Sequence, residues 1–132
     1  MRLSTLVTLS AASALFGTTA HAHHAFATEF NVDRPLELRG TVTKVELINP
    51  HSWIHIEVVD ENGDAIAWMV EGGSPNALVR RGITKNSIPI GSELVVTGYR
   101  ARDGSNRAVG RTIAFADGRE LFFQGTQIPG AR

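Results

Sequence analysis

From residue 36 onward the apolar residues recur at every second position over most of the chain, which is the period of a half-buried strand and not of a helix. In residues 52–59, Ile54, Ile56 and Val58 share one face and Trp53, His55 and Glu57 the other. Residues 65–71 return with Ile66, Trp68 and Val70 turned inward. Between them Asp60-Glu61-Asn62-Gly63-Asp64 reads as a hairpin turn, with Gly63 supplying the positive φ. The alternation slips once. In residues 36–47, Leu38, Gly40 and Val42 have one parity and Val45 and Leu47 the other, which calls for a bulge near Thr43-Lys44 and a bend that lets one strand serve two sheets. Further strands follow at 93–99 and 107–115, joined by the polar turn Arg102-Asp103-Gly104-Ser105-Asn106. After Asp117-Gly118, residues 120–123 read as a short extra strand.

One helix interrupts the pattern. Ser74 reads as an N-cap, Pro75 as the first helical residue and Gly82 as the stop, so a helix over 75–81 should bury Leu78 and Val79 and expose Arg80 and Arg81. Five strands, the first bulged, with one short helix between the third and fourth, give the element order of an all-β, five-stranded OB-fold-like barrel. Ile54, Ile56, Val58, Trp68, Leu94 and Val96 are its expected core.

The first 22 residues read differently. Met1-Arg2 is basic, residues 3–16 are apolar but too few to span a bilayer, and Ala20-His21-Ala22 offers the small residues that signal peptidase accepts. The chain thus divides into a signal peptide at 1–22, a barrel domain with an N-terminal extension at 23–123, and a mobile tail at 124–132. The sequence has no Cys, so disulfides, thiolate metal sites and thiol nucleophiles are excluded, and an exported chain must be held by its core alone. That combination suits a bacterial periplasm. Thirteen basic and thirteen acidic residues balance, and removing Arg2 tips the mature chain slightly acidic, so a nucleic-acid partner is not expected. No membrane span is expected in the mature chain.

The motifs His23-His24-Ala25-Phe26, Gly40-Thr41-Val42, Asn49-Pro50-His51, Gly73-Ser74-Pro75-Asn76-Ala77-Leu78, Gly98-Tyr99-Arg100-Ala101 and Asp103-Gly104-Ser105 run through the segment from Ala22 to about Phe123. On these residues the mature chain resembles a family of small exported bacterial proteins, domain of unknown function family 6152. The resemblance implies no established activity, so no catalytic residue is carried over from it.

Histidine supplies the chemical lead. A cut after Ala22 makes His23 the new N-terminus, where the α-amine and ring Nδ1 can close a chelate on one metal ion. His24, His51 and His55 are the other imidazoles of the mature chain. An amine with two imidazoles is a nitrogen-rich set suited to Cu(II), and less selectively to Ni(II) and Zn(II). On a regular strand His51 and His55 would stand about 13 Å apart at roughly 3.3 Å per residue, so they cannot share an ion unless the Asn49-Pro50 turn bends His51 back. The favoured set is the His23 amine and ring with one of His51 or His55, and Glu29 or Glu57 as an oxygen ligand. Without a metal role, His23 and His24 are a solvated chain start and His55 occupies an exposed strand face.

A second function class is a metal-independent binding module. The loops after strands one and four, where such barrels commonly bind, carry His51 and Trp53 on one side and Tyr99, Arg100, Arg102 and Arg107 on the other. Aromatics with arginine suit an anionic sugar or a peptide carboxylate. A docked N-terminal segment carrying Phe26 and Phe30 would instead cover Trp53. An enzyme is the weakest class: no Gly-x-Ser-x-Gly, no His-Glu-x-x-His and no phosphate-cradling glycine loop is present.

Overall fold

Hairpin, bulge and cap each form where local chemistry demands them. A computed structural model describes residues 28–124. The expected signal segment, His23, His24, Phe26 and residues 125–132 lie outside the described residues. The first strand, β1, spans Phe30–Leu47; β2 is Ser52–Val59 and β3 is Ala65–Glu71. In the β2–β3 turn the Asp60 carboxylate accepts from the N–H groups of Asn62 and Asp64 at 2.8 and 2.9 Å, and Gly63 has φ +86. A short helix, α1, covers Pro75–Arg80, with the Ser74 hydroxyl accepting from Ala77 N at 3.3 Å. A single 3-10 turn at Lys85–Ser87 leads to β4 (Glu93–Ala101), β5 (Arg107–Phe115) and β6 (Glu120–Phe122).

The strands form one sheet in the order β3-β2-β1-β4-β5-β6, and a parallel pairing of β3 with the start of β5 closes the first five strands into a barrel-like ring, with β6 added outside it on the later part of β5. The β1–β2 register shifts between Val42 and Lys44, so the bulge falls at Thr43. That bend turns β1 from β4, its partner up to Thr41, onto β2, its partner from Thr41 to Leu47. The ring interior holds Ile54, Ile56, Val70, Val96 and Ile113, all at 1% exposure or less, with Trp68 and Leu94 against them. Phe30, Tyr99, Ala101 and Val109 make a second small cluster.

Four details depart from the sequence reading. β1 begins at Phe30, six positions before the expected residue 36, and runs through Asp33-Arg34-Pro35. Phe30 pairs with Ala101 and Pro35 with Tyr99, and the irregularity between them absorbs the residues that cannot ladder. The same pairing carries β4 on to Ala101, two residues past its expected end. Val79 is 54% exposed, because in a helix this short only the Leu78 side meets the core. Val58 is half-buried, because it pairs with Ile66 next to the hairpin turn, at the end of the strand.

Phe123, just past β6, is fully buried. Its N–H donates to Arg111 O at 3.0 Å and its C=O accepts from Gly73 N at 2.9 Å. Its ring occupies the space that a Cβ on Gly72 would need, 2.5 Å away, and lies close over Gly110. Glycine at these two positions is a packing requirement. Gln124, at the head of the expected tail, accepts a hydrogen bond on its carbonyl from Arg81 Nη1 at 2.9 Å. No helix among the described residues is long and apolar enough to cross a membrane.

Candidate functional site

Glu71 is the unusual residue of the ring. It ends β3 on the same side as Ala67 and Met69, away from the core, yet it is only 7% exposed. Its cross-strand neighbour is Trp53 and its parallel neighbour on β5 is Val109. His51, which follows the cis Asn49–Pro50 peptide, sets its ring Nδ1 against Glu71 Oε1. Burial pushes the Glu71 carboxyl above the usual carboxylate range. His51 and Arg107 pull the other way, and the nearby Glu29 charge adds to the rise.

Glu29 and Arg107 form an ion pair beside this carboxylate. The Arg107 guanidinium also lies 5.7 Å from the centre of the Trp53 ring, within cation–π range. Arg102 fastens the same segment from the β4–β5 turn: its N–H donates to Glu29 O at 2.9 Å and its Nε to Phe30 O at 3.2 Å. One end of the ring thus gathers His51, Trp53, Glu71, Glu29 and Arg107 from the starts of β1, β2 and β5 and the end of β3.

A carboxylate accepts hydrogen bonds and does not donate them, so an ionised Glu71 selects the His51 tautomer with hydrogen on Nδ1. The lone pair then sits on Nε2, on a ring whose side chain is 51% exposed. A carboxylate behind an imidazole in this way fixes the tautomer and orientation of the ring.

The other candidate residues are engaged elsewhere. His55 Nε2 meets Glu46 Oε2 at 2.7 Å in the middle of β2, and Glu46 also bridges to Lys44 at 2.6 Å. Both neighbours hold the Glu46 carboxyl below its ordinary value, Lys44 the more strongly. The two strand-two histidines therefore have separate carboxylates. Glu57 is exposed opposite Thr41. Tyr99 is buried against the Phe30 cluster. Arg100 lies 5.0 Å from the Trp68 ring centre and donates to Gly104 O at 3.1 Å. Among the described residues no three His, Asp or Glu side chains are grouped to hold a metal ion by themselves.

The sequence reading did not single out Glu71. The hairpin register alone makes it the neighbour of Trp53. Its burial requires β5 and the start of β1 to close over it, and no local pattern announces that.

A model of the family of unknown function DUF6152 matches residues 11–111. The chain belongs to this family. The DUF6152 match takes in Glu29, His51, Trp53, Glu71 and Arg107, and ends within β5, before β6. No curated protein matches the chain.

Proposed function

We propose that this DUF6152 protein is an exported, non-enzymatic periplasmic protein that binds Cu(II) through the mature N-terminal His23 amine and ring together with His51. The observation that carries the reading is the buried Glu71 carboxylate paired with Nδ1 of the half-exposed His51 side chain, which supports the reading because it leaves the Nε2 lone pair to meet an ion. His51 is favoured over His55 because Glu29, only six residues after His23, lies at the His51 end of the ring. Six residues extend at most about 20 Å, so the tether length suits a ligand set completed there. Glu29 supplies an oxygen donor if it exchanges Arg107 for the ion. Tyr99 is buried, and Arg100 and Arg102 hold neighbouring backbone and Trp68, which weighs against the metal-independent module.

Cu(II) titrations followed by isothermal calorimetry and intrinsic tryptophan fluorescence test the reading. His51→Ala is expected to weaken binding strongly and His55→Ala to leave it unchanged. Glu71→Gln is expected to lose about 10–100-fold in affinity, as a carboxylate behind a metal-bound imidazole does. Adding one residue ahead of His23 converts the amine to an amide and should weaken binding as well. If the extended form binds as tightly as the mature one, or His51→Ala changes nothing, the reading is wrong.

A further inference from the structure

Beyond Val42 the first strand loses its second neighbour. β4 begins at Glu93 opposite Thr41, and Val42 exchanges its N–H and C=O with Ser92 and Gly91. From Lys44 to Leu47, β1 is laddered to β2 alone among the described residues. Which groups face the open side follows from Ser52. It donates its N–H to Gly73 O at 2.9 Å and accepts on its C=O from Gly72 N at 2.8 Å, both away from β1. Its pair with Leu47 is therefore a non-hydrogen-bonded one, and Leu47, with Val45 two residues before it, directs N–H and C=O along the open edge.

The side chains of that edge divide by face. Val45 and Leu47 pack toward the core, while Lys44 and Glu46 stand outside and bridge to each other. Beside the edge an open cleft of about 530 Å³ lies between Thr43–Val45 and the segment carrying Lys85, Ile88, Pro89 and Ile90, and Ile90 is 64% exposed.

We propose that this edge pairs antiparallel with the same edge of a second copy of the chain, about a twofold axis through Val45. In that register Val45 meets the partner's Val45 with both edge-facing N–H and C=O groups exchanged, and each Lys44 stands opposite the partner's Glu46. Opposite charges directly across a strand pair are favourable and like charges are not. Centring the axis on Glu46 would oppose two glutamates, and centring it on Leu47 would leave Lys44 without an acidic partner, so charge selects the register. Lysine on a strand edge ordinarily repels an incoming strand. Here the incoming strand carries the matching acid. Four or five residues of edge bury far less than the roughly 1,000 Å² of a stable interface, so the pair is weak and concentration-dependent.

Sedimentation velocity of the mature protein, with chelator present so that metal-bridged association is excluded, reads the equilibrium directly. A monomer–dimer equilibrium is expected, and high salt should weaken it. Lys44→Glu and Glu46→Lys should each abolish the dimer by setting like charges across the axis, and the double swap should restore it. Should a single variant fail to fold, hydrogen exchange on the unaltered protein decides: the Val45 and Leu47 amides should gain protection as concentration rises. A mass that stays monomeric at every concentration, a dimer indifferent to either reversal, or edge amides whose exchange ignores concentration would overturn the proposal.

Discussion

Phe122 and Phe123 are chemically identical neighbours in opposite environments, 63% and 0% exposed. Truncating each to alanine isolates burial from composition. Phe123→Ala removes a ring wedged over Gly72 and Gly110, and losing a buried phenyl group costs about 3–5 kcal/mol once the cavity is included. The upper part of that range is expected. The ring rests on two glycines, which have no side chain to rotate into the space, and the Phe123 backbone stays pinned to Gly73 and Arg111. Phe122→Ala should change stability by no more than about 0.5 kcal/mol. Urea denaturation followed by far-ultraviolet circular dichroism measures both, as a shift in midpoint at constant slope. Gly72→Ala supplies the second side of a cycle. Alone it forces a Cβ to within 2.5 Å of the ring and should cost about 1–3 kcal/mol; in the Phe123→Ala background most of that cost should vanish. Additive costs, or a Phe123→Ala effect no larger than that of Phe122→Ala, would refute the packing account of how the ring is sealed.

Two further outcomes test the face assignment and the turn. Ile56→Ala should cost about 2–5 kcal/mol while Glu57→Ala, one residue on and exposed, costs little; equal losses in thermal or urea melts would invert the faces of β2. The Asp103 carboxylate accepts from the Ser105 hydroxyl at 2.6 Å and its N–H at 2.9 Å, which holds its pKa below the ordinary aspartate value. A lowered folded-state value means that this local stability is present above the unfolded value and lost as pH falls through the folded one. Protection of the Ser105 amide, measured by exchange corrected for intrinsic rates, should therefore drop on that acid limb, and Asp103→Asn should abolish the pH dependence.

Local signals account for a large part of the fold. Alternation located β2 and β3, because each has one face on the core and the side-chain period of a strand is two, while the polar turn at 102–106 marked the start of β5. The parity change between Val42 and Val45 located the bulge for the same reason. Asp60 with Gly63, and Ser74 with Pro75, are turn and cap chemistry contained within five residues. The start of β1 was not legible, since Pro35 and the charged residues before it look like a loop until β4 is there to pair with them. Val79 was misassigned because a six-residue helix touches the core with one residue, which no periodicity can resolve.

The histidine lead divides in the same way. Sequence alone supplied the residue types: a terminal His23 after the expected cut, His51 behind a proline turn, His55 in mid-strand, and no cysteine to compete for a metal. Tertiary structure decided that His51 has a buried carboxylate behind it while His55 shares Glu46 with Lys44. It also brought Arg107 and Glu29, 78 residues apart, into one ion pair. The physical reason is range. Alternation, turns and caps act between residues a few positions apart and are written along the chain. The burial of Glu71, the ring closure through β3 and β5 and the open edge at Val45 depend on strands far apart in sequence, and exist only once those strands have met.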